Sequence, residues 1–223
     1  MIYSSDPFEH WVIDDFLPTD MAQAARDHFY EGTGEWIRRH HLYSRHKRTR
    51  TQGLGEYVEA ALAALECPDM LAYISALTKV SGLHADPLRF GGGQHVTTQG
   101  GKLGIHADFL QHPVTKMRRA LNLLLYLDEG QGGELELWDA QMHECRVKVF
   151  PSFNKAVIFK TSITSFHGHP EPLAASERKS LAVYYYVAEA LSDSLSKTTD
   201  YRPRPQDYRL RLRRWVKGLV YGR

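Results

Sequence analysis

Gly104-Ile105-His106-Ala107-Asp108-Phe109 and Ser165-Phe166-His167-Gly168-His169-Pro170 decide how the 223-residue chain is read. Successive side chains of a strand point to opposite faces. His106 and Asp108 therefore share a face, with small Ala107 turned away between them. An imidazole beside a carboxylate offers two ligands to a divalent metal, and a distant His167 supplies a third. His169 is its rival, two residues on and followed by Pro170, which restricts it towards extended backbone. Two histidines and one carboxylate on one face of an octahedral ion leave three positions open, the arrangement of non-haem Fe(II) oxygenases. A lone His-x-Asp is more often two polar residues on a surface strand, so the context has to carry the reading.

That context follows in Glu177-Arg178-Lys179-Ser180-Leu181-Ala182-Val183-Tyr184-Tyr185-Tyr186. On alternation, Arg178, Ser180 and Ala182 share one face, and Leu181, Val183 and Tyr185 the other. A buried arginine needs a partner anion. No acid in the rest of the run supplies one. A bound dicarboxylate would, gripped bidentately by the planar guanidinium.

These features, in this order, resemble the Fe(II)/2-oxoglutarate-dependent dioxygenase superfamily, in its prolyl-4-hydroxylase-like branch. The resemblance rests on His106-x-Asp108, the run Arg119 to Leu127, Gly132-Gly133-Glu134-Leu135-Glu136-Leu137, Pro151-x-Phe153-Asn154, His167 and Arg178-x-Ser180. It implies that His106, Asp108 and His167 bind iron and that Arg178 holds the distal carboxylate of 2-oxoglutarate, with Tyr126 reaching the same carboxylate. Asn122, Ser180 and His95 are the further residues expected to line the cofactor pocket. The implied cofactors are Fe(II), 2-oxoglutarate and O2, with ascorbate as an accessory reductant. The implied reaction is hydroxylation of an unactivated C–H bond of a prolyl or other amino-acid unit, releasing succinate and CO2. Halogenating relatives carry a small residue in place of the ligand carboxylate, so Asp108 points away from halogenation. The same chemistry on a small molecule, sugar or secondary metabolite is the alternative. An inactive jelly-roll binding protein is the non-enzymatic one, since fold alone does not fix function.

The implied fold is a mainly β double-stranded β-helix, a cupin-like two-sheet jelly roll of roughly eight core strands with helices packed on the larger sheet. Residues 1–200 are expected to form one domain, with an N-terminal helical part (1–85) and a jelly-roll core (86–190). A basic tail (201–223) follows.

The residues themselves agree. In Arg119 to Leu127, Leu121, Leu123, Leu125 and Leu127 form one face, and Asn122, Leu124 and Tyr126 the other. Both faces are apolar enough to be covered, one by helices and the other by the barrel interior. Residues 11–16, 134–138, 145–150 and 156–160 read as further strands, with Glu134 and Glu136 expected to face solvent. Thr19 or Asp20 caps a helix that runs on to Phe29, and Glu56–Glu66 is helical by propensity. Pro68 begins another helix that Gly82 ends. Gly91-Gly92-Gly93 lacks the Gly-Lys-Ser/Thr of a phosphate loop and reads as a strand bend, with His95 just beyond it.

Hydrophobic residues make up 43% of the chain and charged residues 24%, an ordinary globular composition. Two cysteines fit a reducing cytosol, and no leader or membrane span is read, so the expected compartment is the cytoplasm. The net charge of +2 is uneven. Arg38 to Arg50 holds six Lys or Arg and no acid, and 201–223 holds eight against Asp207. The rest of the chain is acidic. This opposition favours a tail docked on the body over nucleic-acid binding. His28, His40, His41 and His46 do not suggest a second metal, because the basic neighbours of the last three repel a cation. His112, beside Pro113, is read as a decoy ligand. The 36–53 segment is expected to be a mobile basic lid that steers a small-molecule or peptidyl substrate.

Overall fold

The computed structural model describes residues 1–129, 132–189 and 198–212. The chain opens with β1 (Ile2–Ser4), β2 (His10–Ile13), α1 (Thr19–Asp27), β3 (Ile37–His41) and β4 (Ser44–Arg50). Then come α2 (Glu56–Glu66), α3 (Pro68–Thr78), β5 (His84–Ala85), β6 (Gly93–Ala107) and β7 (Arg118–Tyr126). The remaining strands are β8 (Leu135–Trp138), β9 (Cys145–Val149), β10 (Lys155–Lys160), β11 (His167–His169), β12 (Glu177–Val187) and β13 (Asp200–Tyr201). All strand pairings are antiparallel, in the order β1-β2-β10-β7-β12-β6-β11-β8-β9. The hairpin of β3 and β4 docks on β6, and β13 adds to the far half of β6.

The fifteen-residue strand β6 makes this network a jelly roll. Its first half pairs with β12 and its second half with β11, so one strand belongs to both layers. The turn between them falls at Gly100-Gly101. Gly100 has φ 74°, and a Cβ on Gly101 would sit 2.5 Å from Thr97 Cγ2 and 2.6 Å from Thr98 O. Only glycine allows that approach.

The leucine face of β7 behaves as its alternation predicts. Leu121, Leu123, Leu125 and Leu127 are buried with Leu181, Val183 and Tyr185 of β12 against Phe29 of the loop after α1, Val58, Leu62 and Leu65 of α2, and Ile74 of α3. The Tyr185 hydroxyl donates to Leu65 O at 2.7 Å, fixing helix to sheet. Asn122, Leu124 and Tyr126 line the interior cavity instead. Among the described residues no single helix is long and apolar enough to cross a membrane; α2 and α3 pass only as a pair bent by 49°.

Several local expectations are corrected. Helix α1 ends at Asp27, and the residue before it, Pro18, is its cap, without a side-chain bond. Lys79, at φ 59°, closes α3 before Gly82 is reached. Glu136 is buried, not solvated. It accepts from Trp138 Nε1 at 2.9 Å and lies 3.2 Å from Lys148 Nζ and 3.8 Å from Arg204 Nη1. The segment after β13 covers it, and Arg204 also pairs with Glu171 and Asp207. Among the described residues of the tail, Arg204 alone thus meets acids of the body, Glu136 and Glu171; residues 213–223 of the tail lie outside the described residues.

The 36–53 segment is not a loop. Its strands β3 and β4 continue the hydrogen-bonded ladder from β6. Arg50 anchors its base, donating to Gln94 Oε1 at 2.6 Å and to the carbonyls of Phe29 and Glu31, with its guanidinium 4.7 Å from the Trp36 ring. Backbone pairing on β6 fixes this hairpin without an apolar face of its own. Because Leu123 packs at the centre of the helix–sheet contact, Leu123→Ala is expected to cost about 2–5 kcal/mol in urea unfolding. A loss below 1 kcal/mol would contradict this packing.

Candidate metal and co-substrate site

His106, Asp108 and His167 come together through one strand pair. His167 lies directly opposite His106 in the β6–β11 ladder, and Asp108 is the first residue beyond the end of β6. Their ligand atoms all lie within 4.8 Å of one another. His106 Nε2 is 3.5 Å from Asp108 Oδ1, and His167 Nε2 is 3.4 Å from Oδ2. Each ring has its Nδ1 2.9 Å from a backbone carbonyl, Gly104 O for His106 and Ser165 O for His167. A carbonyl only accepts, so each Nδ1 carries the proton and each Nε2 presents a lone pair inward. These donors suit a divalent ion with nitrogen and oxygen ligands.

A polar layer holds the carboxylate. Asn122 Nδ2 donates to Asp108 Oδ2 at 2.7 Å, and Arg119 Nη2 lies 3.1 Å from the same oxygen. Arg119 Nε donates to Asn122 Oδ1 at 2.6 Å. The Arg119 guanidinium is itself bracketed by the Tyr184 ring at 3.3 Å and the Phe109 ring at 5.0 Å. Burial works against charge on Asp108, but Arg119 and the two histidines outweigh it and hold the carboxyl well below its usual range. Asp108 is thus ionised and ready to bind a cation.

Arg178 lies in the wall of the same cavity, with Tyr126, Ser180 and His95. One terminal nitrogen of its guanidinium donates to Gly133 O, and its buried Nε has no partner among the described residues. An unpaired donor on a buried cation is costly. A carboxylate at this point would satisfy it, so the cavity fits a dicarboxylate beside a metal. The Tyr126 ring centroid is 5.5 Å from the guanidinium carbon. His95 Nε2 is committed to Gly91 O at 2.9 Å, so it shapes the wall. His169 lies in the wall outside the ligand cluster, and neither ring nitrogen has a hydrogen-bond partner among the described residues. His112 is a structural residue. It is buried, with Nε2 3.1 Å from Asp86 Oδ2.

Arg119, Tyr184 and Lys47 also line the cavity, where the sequence did not place them. Arg119 should share the Leu121 face. A register shift opposite Tyr185 and Tyr186 moves it to the inner face. Lys47 comes from the hairpin, and burial with Arg178 nearby pushes its amine down to about 8.

Burial also lowers the pKa values of His95, His169 and His167, the last to about 4 from an ordinary 6.5. Below pH 6.5 the unfolded chain therefore binds more protons than the folded one. The stability from these neutral rings is complete above pH 6.5 and falls as pH drops towards 4, by roughly 1.4 kcal/mol per pH unit for each ring. Urea midpoints of the metal-free protein between pH 7.5 and 5 are expected to fall less steeply in His169→Gln than in the wild type. Parallel curves would contradict a neutral buried His169.

Residues 92–186, which contain all three cluster residues and Arg178, match the 2OG-Fe(II) oxygenase superfamily. Over 197 residues, 81% of the chain, the sequence is 27% identical to prolyl 3-hydroxylase OGFOD1 from Mus musculus. The chain spans about a third of that protein's length. A prolyl-4-hydroxylase from Pseudomonas putida shares the fold with a TM-score of 0.57 and 20% identity, over 81% of this chain and 93% of that one. HygX from Streptomyces hygroscopicus, solved with nickel and 2-oxoglutarate bound, shares it with a TM-score of 0.58 and 12% identity, over 90% and 94%. Residues 92–186 thus resemble the 2OG-Fe(II) oxygenase superfamily, and the chain shares its fold with the prolyl-4-hydroxylase structure.

Proposed function

We propose that the chain is a 2-oxoglutarate-dependent hydroxylase in which His106, Asp108 and His167 hold Fe(II) and Arg178 holds the distal carboxylate of 2-oxoglutarate. The observation that carries this reading is the three-ligand cluster facing a buried, incompletely paired Arg178 across one cavity. When bound, Fe(II) with 2-oxoglutarate and O2 supplies the oxidation that replaces a C–H hydrogen by hydroxyl and releases succinate and CO2. The protein's own part is binding, orientation and exclusion of water. The carbonyls of Gly104 and Ser165 keep both imidazoles in the Nε2-ligating tautomer. Asn122 and Arg119 occupy one oxygen of Asp108 and so favour single-oxygen ligation through the other, which keeps positions open. Arg178 orients the co-substrate by its far end, while Leu124, Leu135 and Tyr126 line the cavity and limit water.

The proposed substrate is a prolyl or other amino-acid unit. The similarity to a prolyl 3-hydroxylase and the fold shared with prolyl hydroxylases support it.

His106→Ala, Asp108→Ala and His167→Ala are each expected to lose bound iron and 2-oxoglutarate-dependent succinate formation together, while His169→Ala keeps its iron. Iron retained in His167→Ala and lost in His169→Ala would reverse the assignment. Arg178→Ala is expected to raise the dissociation constant for 2-oxoglutarate about a hundredfold, roughly 3 kcal/mol for a lost charge-assisted pair, with iron binding intact. Unchanged affinity in titration calorimetry would remove Arg178 from the site.

A further inference from the structure

The inner face of the sheet carries a row of cations that leads out of the metal cavity. Arg178 of β12 and Lys47 of β4 both sit opposite Thr97 of β6, on its two sides, and Arg39 of β3 sits opposite Lys47. Residues directly opposite one another in a ladder share a face. Arg178, Thr97, Lys47 and Arg39 therefore form one rung across four neighbouring strands. At about 4.8 Å per strand, Lys47 is roughly 10 Å and Arg39 roughly 15 Å from Arg178 along the backbone. A bulge sets Lys47 in this rung. The β4–β6 register shifts between Arg45, opposite Lys102, and Lys47, opposite Thr97, so the single residue His46 faces residues 98–101 of β6; it has φ 51° and its Nδ1 lies 2.9 Å from Gln99 O. Bulges at barrel rims re-aim side chains in this way.

Lys47 lines two spaces at once. One is the metal cavity. The other is a cleft of about 420 Å³ whose wall includes Arg38, Arg39, His40, His46 and Arg48, with no acid. Among the described residues neither Lys47 nor Arg39 has an ion-pair partner.

The charges in the loaded site do not resolve this surplus. On the reading proposed above, on which this inference rests, one carboxylate of 2-oxoglutarate neutralises Arg178. The other, together with Asp108, neutralises Fe(II). Arg119 is held between aromatic rings beside Asp108. Lys47 and Arg39 remain as two uncompensated cations between the iron and the outside.

We infer that the substrate carries an oxyanion, a carboxylate or a phosphate, that Lys47 and Arg39 receive in this cleft next to the carbon to be hydroxylated. Lys47 and Arg39 then determine specificity. An anionic substrate is drawn along the row and positioned by its charge, and a neutral analogue is discriminated against because the cations stay unpaired.

The test uses the full chain loaded with 2-oxoglutarate and with Zn(II) in place of Fe(II), so that binding is measured without turnover. The probes are two fluorescein-labelled nonapeptides with one central proline, flanked by glutamates in one and glutamines in the other. Inorganic phosphate is titrated separately by calorimetry. The expected result is tighter binding of the glutamate peptide by tenfold or more at low ionic strength, with the ratio falling to about two in Lys47→Gln and in Arg39→Gln. Equal binding of the two peptides, together with phosphate binding that Arg39→Gln abolishes, supports the same oxyanion site with a non-peptide source. No preference for either anion in protein that binds 2-oxoglutarate normally overturns the inference and leaves the hydroxylase reading standing. A wild type that fails to bind 2-oxoglutarate overturns that reading instead. If Lys47→Gln weakens 2-oxoglutarate tenfold or more but keeps the peptide preference, Lys47 serves the co-substrate and the inference fails. Arg39 is exposed, so Arg39→Gln carries the test if Lys47→Gln does not fold.

Discussion

The site depends on one backbone register, the pairing of His167 with His106 between β11 and β6. A slip of one residue in a ladder turns every side chain to the other face. Here it would send one imidazole out of the cavity and remove the cluster. The register is defended on both sides. Beyond β11, β8 pairs with His167 and Gly168. Within β11, Gly168 leaves no room for a side chain, since a Cβ there would lie 2.7 Å from Gly104 O. The same β6 carries His95 and Thr97 in its other half, so the glycine bend at Gly100-Gly101 sets how the end with His106 faces the end paired with Arg178.

Around that register the protein places charge in layers. Nearest the cluster, Asn122 and Arg119 fix Asp108, and the aromatic rings of Tyr184 and Phe109 fix Arg119. Buried charges of this kind persist only when paired and packed. Further out, Arg178 is paired on one side only, and Lys47 has no ion-pair partner among the described residues. The degree of pairing thus falls from Asp108 towards the cavity mouth. Pairing of one Asp108 oxygen with Asn122 and Arg119 fixes the carboxylate in place. Arg178 keeps a buried Nε without a partner among the described residues, as the proposed co-substrate anchor requires.

The parts of this arrangement legible in the sequence are those with a strong period. The leucines of β7 and the alternation from Arg178 to Tyr185 announced which face meets the helices and which meets the cavity, and both agree with the structure. The cluster was legible because His-x-Asp and a later histidine keep their order along the chain. The hairpin of β3 and β4 was not legible. Every residue of β3 is exposed, and Arg38 to Arg50 has no apolar alternation to betray a strand. Its structure comes from backbone pairing with β6, which leaves no local trace. Arg119 was hidden for a different reason. A bulge shifts the phase of β7 at its start, and phase is the quantity on which alternation arguments rely. Glu136 looked solvated because the segment that covers it, around Arg204, lies far along the chain.

In the proposed arrangement His106, Asp108 and His167 share one ion with a co-substrate anchored on Arg178. A crystal structure of the protein grown without oxygen with Mn(II) and 2-oxoglutarate tests it most directly. The expected result is one ion bound by Nε2 of both histidines and one Asp108 oxygen, chelated by 2-oxoglutarate, with the far carboxylate on the Arg178 guanidinium. An ion held by His169 or His95, or a 2-oxoglutarate whose far carboxylate lies away from Arg178, would contradict it.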